Sequence, residues 1–164
     1  MTRPKKNPAP RLVQCATTWS MIGYPSAKRE WSLERKMKEI KAAGFDGIAA
    51  YANPEVGALA RKLKLKLMGG FDGRDAKKAR RQIIEQRDNG TRYMNVQLLD
   101  HDTLPAVAAR LAVQLIKLSD ELGVSVHIET HRDTATETPE KYDEIQRLFR
   151  KATGRLMPTT WDHS

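Results

Sequence analysis

The sequence predicts an α/β protein, a partial (β/α)8 barrel of about six parallel strands and five helices. Three observations carry that expectation. Short β-like runs alternate with longer helix-like runs along nearly the whole chain, which implies a parallel sheet with helices outside it. Two of the strand candidates are polar on one face and apolar on the other. Ser125, His127 and Glu129 oppose Val124, Val126 and Ile128, and Asn95 and Gln97 oppose Met94, Val96 and Leu98. A sheet covered by helices on both faces should be apolar on both, so a barrel with a polar lumen fits better. Finally, both nucleotide-binding fingerprints are missing. No Gly-x-Gly-x-x-Gly follows the first strand, and Gly69-Gly-Phe-Asp-Gly73 lacks the Lys-Ser/Thr pair of a phosphate loop.

Taken in order, the first strand is predicted over Leu12–Trp19. Ser32 is a natural N-cap for a helix to Ala43, with Leu33, Met37 and Ile40 as its apolar stripe and Gly44 as its stop. A strand at Gly47–Tyr51 leads to Asn53-Pro54, where Pro opens a second helix. The third strand, Leu65–Met68, runs into the glycines. A basic helix spans about Ala76–Arg87, followed by a strand at Tyr93–Leu98. Pro105 starts a long helix, Ala106–Leu122, closed by Gly123. Strand five is Val124–Glu129, helix five Glu140–Lys151, and strand six Leu156–Trp161.

Composition narrows the class. In 164 residues, 30% are charged and 40% hydrophobic, which suits one compact domain and excludes long disorder or a disulfide scaffold. The single Cys15 has no internal partner; inside strand one it reads as buried and inert. No apolar run reaches the roughly 18 residues that a transmembrane helix needs. Residues 1–10, basic and proline-rich, lack the apolar stretch of a secretory signal and read as a flexible tail on a cytoplasmic protein, with the barrel domain over 11–164. The net charge of +9 is uneven: residues 61–92 hold 11 basic and 4 acidic groups, residues 93–164 only 8 against 11. No aromatic residues interleave with the basic run, so it reads as a solvated helix face and nucleic acid is not an expected partner.

Barrel chemistry projects from the C-terminal strand ends. Glu129 and Asp162 fall there, on consecutive strands, and neighbouring parallel strands lie about 5 Å apart. The pair suits one shared divalent ion, with oxygen ligands favouring Mg²⁺ or Mn²⁺ and added imidazole favouring Mn²⁺, Co²⁺ or Zn²⁺. Alone, Glu129 reads equally well as an ion-paired strand end; two such carboxylates flanked by His131 and His163 favour a site. His127 sits below the rim and reads as a packed, hydrogen-bonded residue.

Val126-His-Ile-Glu-Thr-His-Arg132 followed by Trp161-Asp-His-Ser164 resembles the xylose isomerase-like TIM-barrel superfamily, as does Gly44-Phe-Asp-Gly-Ile48. The resemblance covers roughly residues 12–164. It implies that Glu129 and Asp162 are two of four ligands to one divalent metal ion, with Glu129 also a catalytic base. It further implies a sugar or sugar-phosphate substrate, isomerised or epimerised through an enediolate. Gln97, His101, His131, Arg132 and Trp19 are the further candidates for substrate contact. The chain departs from the family pattern in length. Its strand starts average about 29 residues per unit, so eight units need about 230 residues, and strands seven and eight are expected to be absent, as in a truncated form. Two other readings are a non-catalytic barrel fragment or assembly subunit, and, ranked below it, an endonuclease IV-like DNA repair protein. Open edges at strands one and six lead to the expectation of a homo-oligomer.

Overall fold

The computed structural model describes residues 12–161. The expected tail over residues 1–10 and the metal candidate Asp162 lie outside the described residues. Six strands alternate with five helices: β1 (Cys15–Thr17), α1 (Leu33–Ala42), β2 (Gly47–Ala49), α2 (Pro54–Leu63), β3 (Lys66–Gly73), α3 (Ala76–Asp88), β4 (Tyr93–Leu98), α4 (Pro105–Leu122), β5 (Ser125–Thr130), α5 (Pro139–Thr153) and β6 (Thr159–Trp161). All neighbouring strands are parallel, in the order β1-β2-β3-β4-β5-β6. A doubly wound sheet reverses its strand order at a switch point. Here the order never reverses, and the sheet is a half-barrel with its helices outside.

Local chemistry sets the helix boundaries. Side-chain oxygens of Ser32, Asn53, Asp75 and Thr138 accept from the backbone N–H three residues on, at 3.3, 2.9, 2.8 and 3.3 Å, which satisfies donors the helix itself cannot. Gly123 ends α4 in the left-handed region at φ 64°. On α3 the basic side chains Lys77, Lys78, Arg80 and Arg81 face solvent while Ala79 and Ile83 are buried. Arg80 grips Glu121 of α4 through two bonds of 2.7 and 2.5 Å.

β2 stops at Ala49, two residues short of its expected end, and β5 is shifted by one residue to Ser125–Thr130; three other strands differ for reasons that the structure shows. β1 is only three residues long, because Thr17 and Ser20 bind local backbone groups (Trp19 N–H to Thr17 Oγ1 at 3.2 Å, Ser20 Oγ to Thr17 O at 2.9 Å) and turn the chain into a short 3₁₀ helix at Trp19–Met21. β6 begins at Thr159 rather than Leu156: Pro158 has no N–H for the ladder, and the Met157 N–H goes instead to Gln146 Oε1 at 2.7 Å. β3 continues through the glycines to Gly73. Glycine is a poor strand former, yet a Cβ at Gly69 would stand 2.5 Å from Gln86 Oε1, and one at Gly73 2.6 Å from Val96 Cγ1. Packing between sheet and helix needs the bare backbone there.

The buried apolar residues form two clusters. The larger joins β3–β5 to α3, α4 and α5, with Leu115, Ile128, Ile145 and Phe149 among its members. The smaller holds Met37, Ile40, Ile48, Val56, Ala60 and Leu65 around α1, α2 and β2. Cys15 is half-buried, not buried as expected; burial is the main cause that raises its thiol pKa, followed by the charge of Asp46. Among the described residues no helix is long and apolar enough to cross a membrane.

Candidate active site

A cleft of about 710 Å³ opens over the C-terminal ends of the strands. Its floor follows from strand register. Asp72 on β3 is level with Gln97 on β4, and Gln97 is level with Glu129 on β5. All three line the cleft, as does Asn95 one pleat lower. The opposite wall is apolar: Trp19 and Ile22, both exposed, together with Trp31. Trp31 packs edge-on against Tyr24 at 4.8 Å, and the Arg35 guanidinium lies 4.3 Å from its ring centre.

Glu129 is half-buried and fixed from two sides. Its backbone carbonyl accepts from Thr136 Oγ1 at 2.7 Å. Its Oε1 accepts from Asn95 Nδ2 at 3.4 Å, and Asn95 Oδ1 in turn accepts from Thr160 Oγ1 at 3.2 Å. The carboxylate only accepts, so it takes the N–H side of the amide, and the threonine hydroxyl, which can donate, meets the amide oxygen. The relay crosses three strands.

Beneath the floor, Gln86 of α3 is fully buried and acts as a brace. Its Oε1 accepts from Ala52 N at 3.3 Å and Gly70 N at 3.2 Å, and its Nε2 donates to Gly70 O at 3.3 Å. One side chain therefore joins the exit of β2 to β3. Lys36, 7% exposed, also lines the cleft, where its ammonium pairs with Glu30. That bond, and a second from the Gly23 N–H, hold the Glu30 carboxyl below its usual range. Tyr51 donates to Glu85 at 2.7 Å; burial first, then that bond, push its phenol up to about 12. His127 lies lower in the lumen with its ring 4.5 Å from Tyr93, and burial lowers its pKa against a smaller opposing effect of the Thr159 backbone.

Of the sequence candidates, Trp19, Gln97 and Glu129 meet in the cleft. His101, His131 and Arg132 are not among its lining residues. His101 is exposed in the loop after β4, with its ring 3.3 Å from Asp102 and its carbonyl accepting from Lys141 at 2.5 Å. His131 Nδ1 lies 2.6 Å from the carbonyl of Arg132, which is itself exposed. Among the described residues no three His, Cys, Asp or Glu side chains converge to hold a metal. Sequence reasoning passed over Asp72, because the glycines around it suggested a loop. Extending the two-residue alternation of β3 to Gly73 puts Asp72 on the polar face.

No family model matches the chain, and no curated protein matches it. Solved structures do match in fold. They include the probable 3-DHS dehydratase AsbF of Bacillus anthracis, involved in petrobactin synthesis (TM-score 0.57, 12% identity, 84% of this chain and 59% of that one). A second is D-allulose 3-epimerase from Methylomonas sp. in complex with D-allulose (TM-score 0.58, 13% identity, 86% and 60%). A third is deoxyribose phosphate aldolase from Aeropyrum pernix (TM-score 0.56, 18% identity, 78% and 54%). The chain has a TIM-barrel fold in part. It spans 54–60% of the length of these three structures.

Proposed function

We propose that the chain is a sugar or sugar-phosphate isomerase or epimerase that shifts a proton at a carbon next to a carbonyl, through an enediolate, with one divalent ion as cofactor. The observation that carries this reading is the position of Glu129, a half-buried carboxylate at a strand end in a polar cleft faced by two tryptophans. Reactive groups of barrel enzymes come from these strand ends. The likeness in fold to an epimerase with bound D-allulose supports the substrate class.

In this reading Glu129 is the base that takes the proton, as a positioned carboxylate can. Asn95 occupies its Oε1 and leaves Oε2 for the substrate. Gln97, level with Glu129, donates and accepts hydrogen bonds with ligand hydroxyls. Trp19 covers the apolar C–H face of the sugar and keeps water from the reacting carbon. The described residues supply a single carboxylate of the expected metal set, Glu129; Asp162 and any other donors lie outside them. When bound, the ion polarises the carbonyl and stabilises negative charge on its oxygen.

Two measurements test the proposal. Thermal unfolding with added Mn²⁺ should show a rise in wild type that is reduced in Glu129→Ala, because a ligand of the folded state stabilises it by mass action. Proton NMR of ketoses in D₂O should show enzyme-dependent loss of the signal at the carbon next to the carbonyl. A wild type that neither shifts with metal nor exchanges that proton overturns the reading. A second reading, a non-catalytic assembly subunit, is favoured by one observation: in the described sheet β1 and β6 each pair on one side only. Strand edges of this kind template pairing with another chain, and size-exclusion chromatography that finds only monomer counts against it.

A further inference from the structure

The charge pattern of the cleft bears on which sugars it accepts. Its one lysine or arginine among the described lining residues, Lys36, is already paired with Glu30. The nearby Arg74 points elsewhere, 3.7 Å from Asp100. Against this stand Glu129 and Asp72. Glu129 is the carboxylate that the proposed function assigns to proton transfer and to the metal, so a cation offsets its charge. Asp72 lies two strands away, with Gln97 between them. It is exposed to the cleft, and its carboxylate has no hydrogen bond or ion pair among the described residues. In a chain with a net charge of +9, the floor over β3–β5 is nevertheless acidic.

We propose that Asp72 is a specificity-determining residue, which binds hydroxyl groups of an uncharged polyhydroxylated ligand over β3 and β4 and rejects a phosphate ester there. An ionised carboxylate only accepts hydrogen bonds. Sugar hydroxyls donate to it, and a phosphate dianion has no proton to give and carries the same sign of charge. A charge of the same sign, with no cation beside it to offset it, is a repulsive element set against the phosphate ester and not against the free sugar. The inference rests on the reading of the cleft as a sugar site and narrows it from sugars and sugar phosphates to unphosphorylated sugars.

The test is a binding comparison by isothermal titration calorimetry in the presence of Mn²⁺. The probes are D-fructose and D-xylulose against D-fructose 6-phosphate and D-xylulose 5-phosphate, with wild type and Asp72→Asn. Wild type should bind a free ketose at least tenfold more tightly than its phosphate ester. Asp72→Asn keeps the shape and removes the charge, so the ratio should fall at least fivefold, with the thermal midpoint unchanged because the side chain is exposed. Phosphate esters that bind wild type as well as the free sugars overturn the assignment of Asp72 alone. An unchanged ratio in Asp72→Asn does the same. Wild type that binds none of the four probes overturns the sugar reading and the assignment with it.

Discussion

At the scale of single residues, the cleft depends on side chains that never need to touch a ligand. Gln86 satisfies Ala52 N, Gly70 N and Gly70 O at once. Replacing it by Leu should lower stability by about 2–4 kcal/mol in urea unfolding, since each buried polar group left without a partner costs about 1–3 kcal/mol. Asn95→Leu removes the amide between Thr160 and Glu129. It should weaken the Mn²⁺-dependent rise in melting temperature, whereas Asn95→Gln or a purely structural loss would not change that rise relative to the metal-free protein. His127 gives a pH dependence of known sign. Burial lowers its pKa from 6.5, so the unfolded chain takes up the proton first and stability falls as pH drops below about 6.5. A His127→Gln variant should show a flatter stability profile between pH 7 and 5. The sequence revealed Glu129 and Gln97 because strand alternation exposes a polar face. It concealed Gln86, a polar residue on the buried side of a helix, because no periodicity marks a side chain whose three partners come from other elements.

Elements were legible in proportion to how locally they are determined. β4 matches its expected Tyr93–Leu98 span because apolar and polar residues alternate without interruption. The helices match within a few residues because Ser32, Asn53, Asp75 and Thr138 cap four of them with their own side chains, and Pro105 and Gly123 bound α4. β3 was misjudged because its glycines answer to Gln86 and Val96, which lie far along the chain. That makes a prediction at the same scale. Gly73→Ala, with Val96 Cγ1 at 2.6 Å and Leu115 Cδ1 at 3.2 Å from the new Cβ, should cost about 1–3 kcal/mol through overpacking. Circular dichroism melts would record this; an unchanged midpoint would mean that the two side chains yield freely.

Across the whole molecule, the apolar interior is divided. The larger cluster lies under β3, β4 and β5, and the smaller under α1, β2 and α2. The cleft straddles the division: Asp72, Gln97 and Glu129 stand over the first, while Trp19 and Trp31 belong to the chain around the second. Unequal halves open with unequal free energy. Native-state hydrogen exchange should therefore release the amides of α1 and α2 well before those of α4 and β5; equal protection would show one cooperative unit. Asp72 and Glu129 stand on the half with the larger cluster, and the aromatic wall on the half with the smaller. Partial melting of that half alone would swing the tryptophans outward, admit or discharge a sugar-sized guest, and leave the acidic shelf standing.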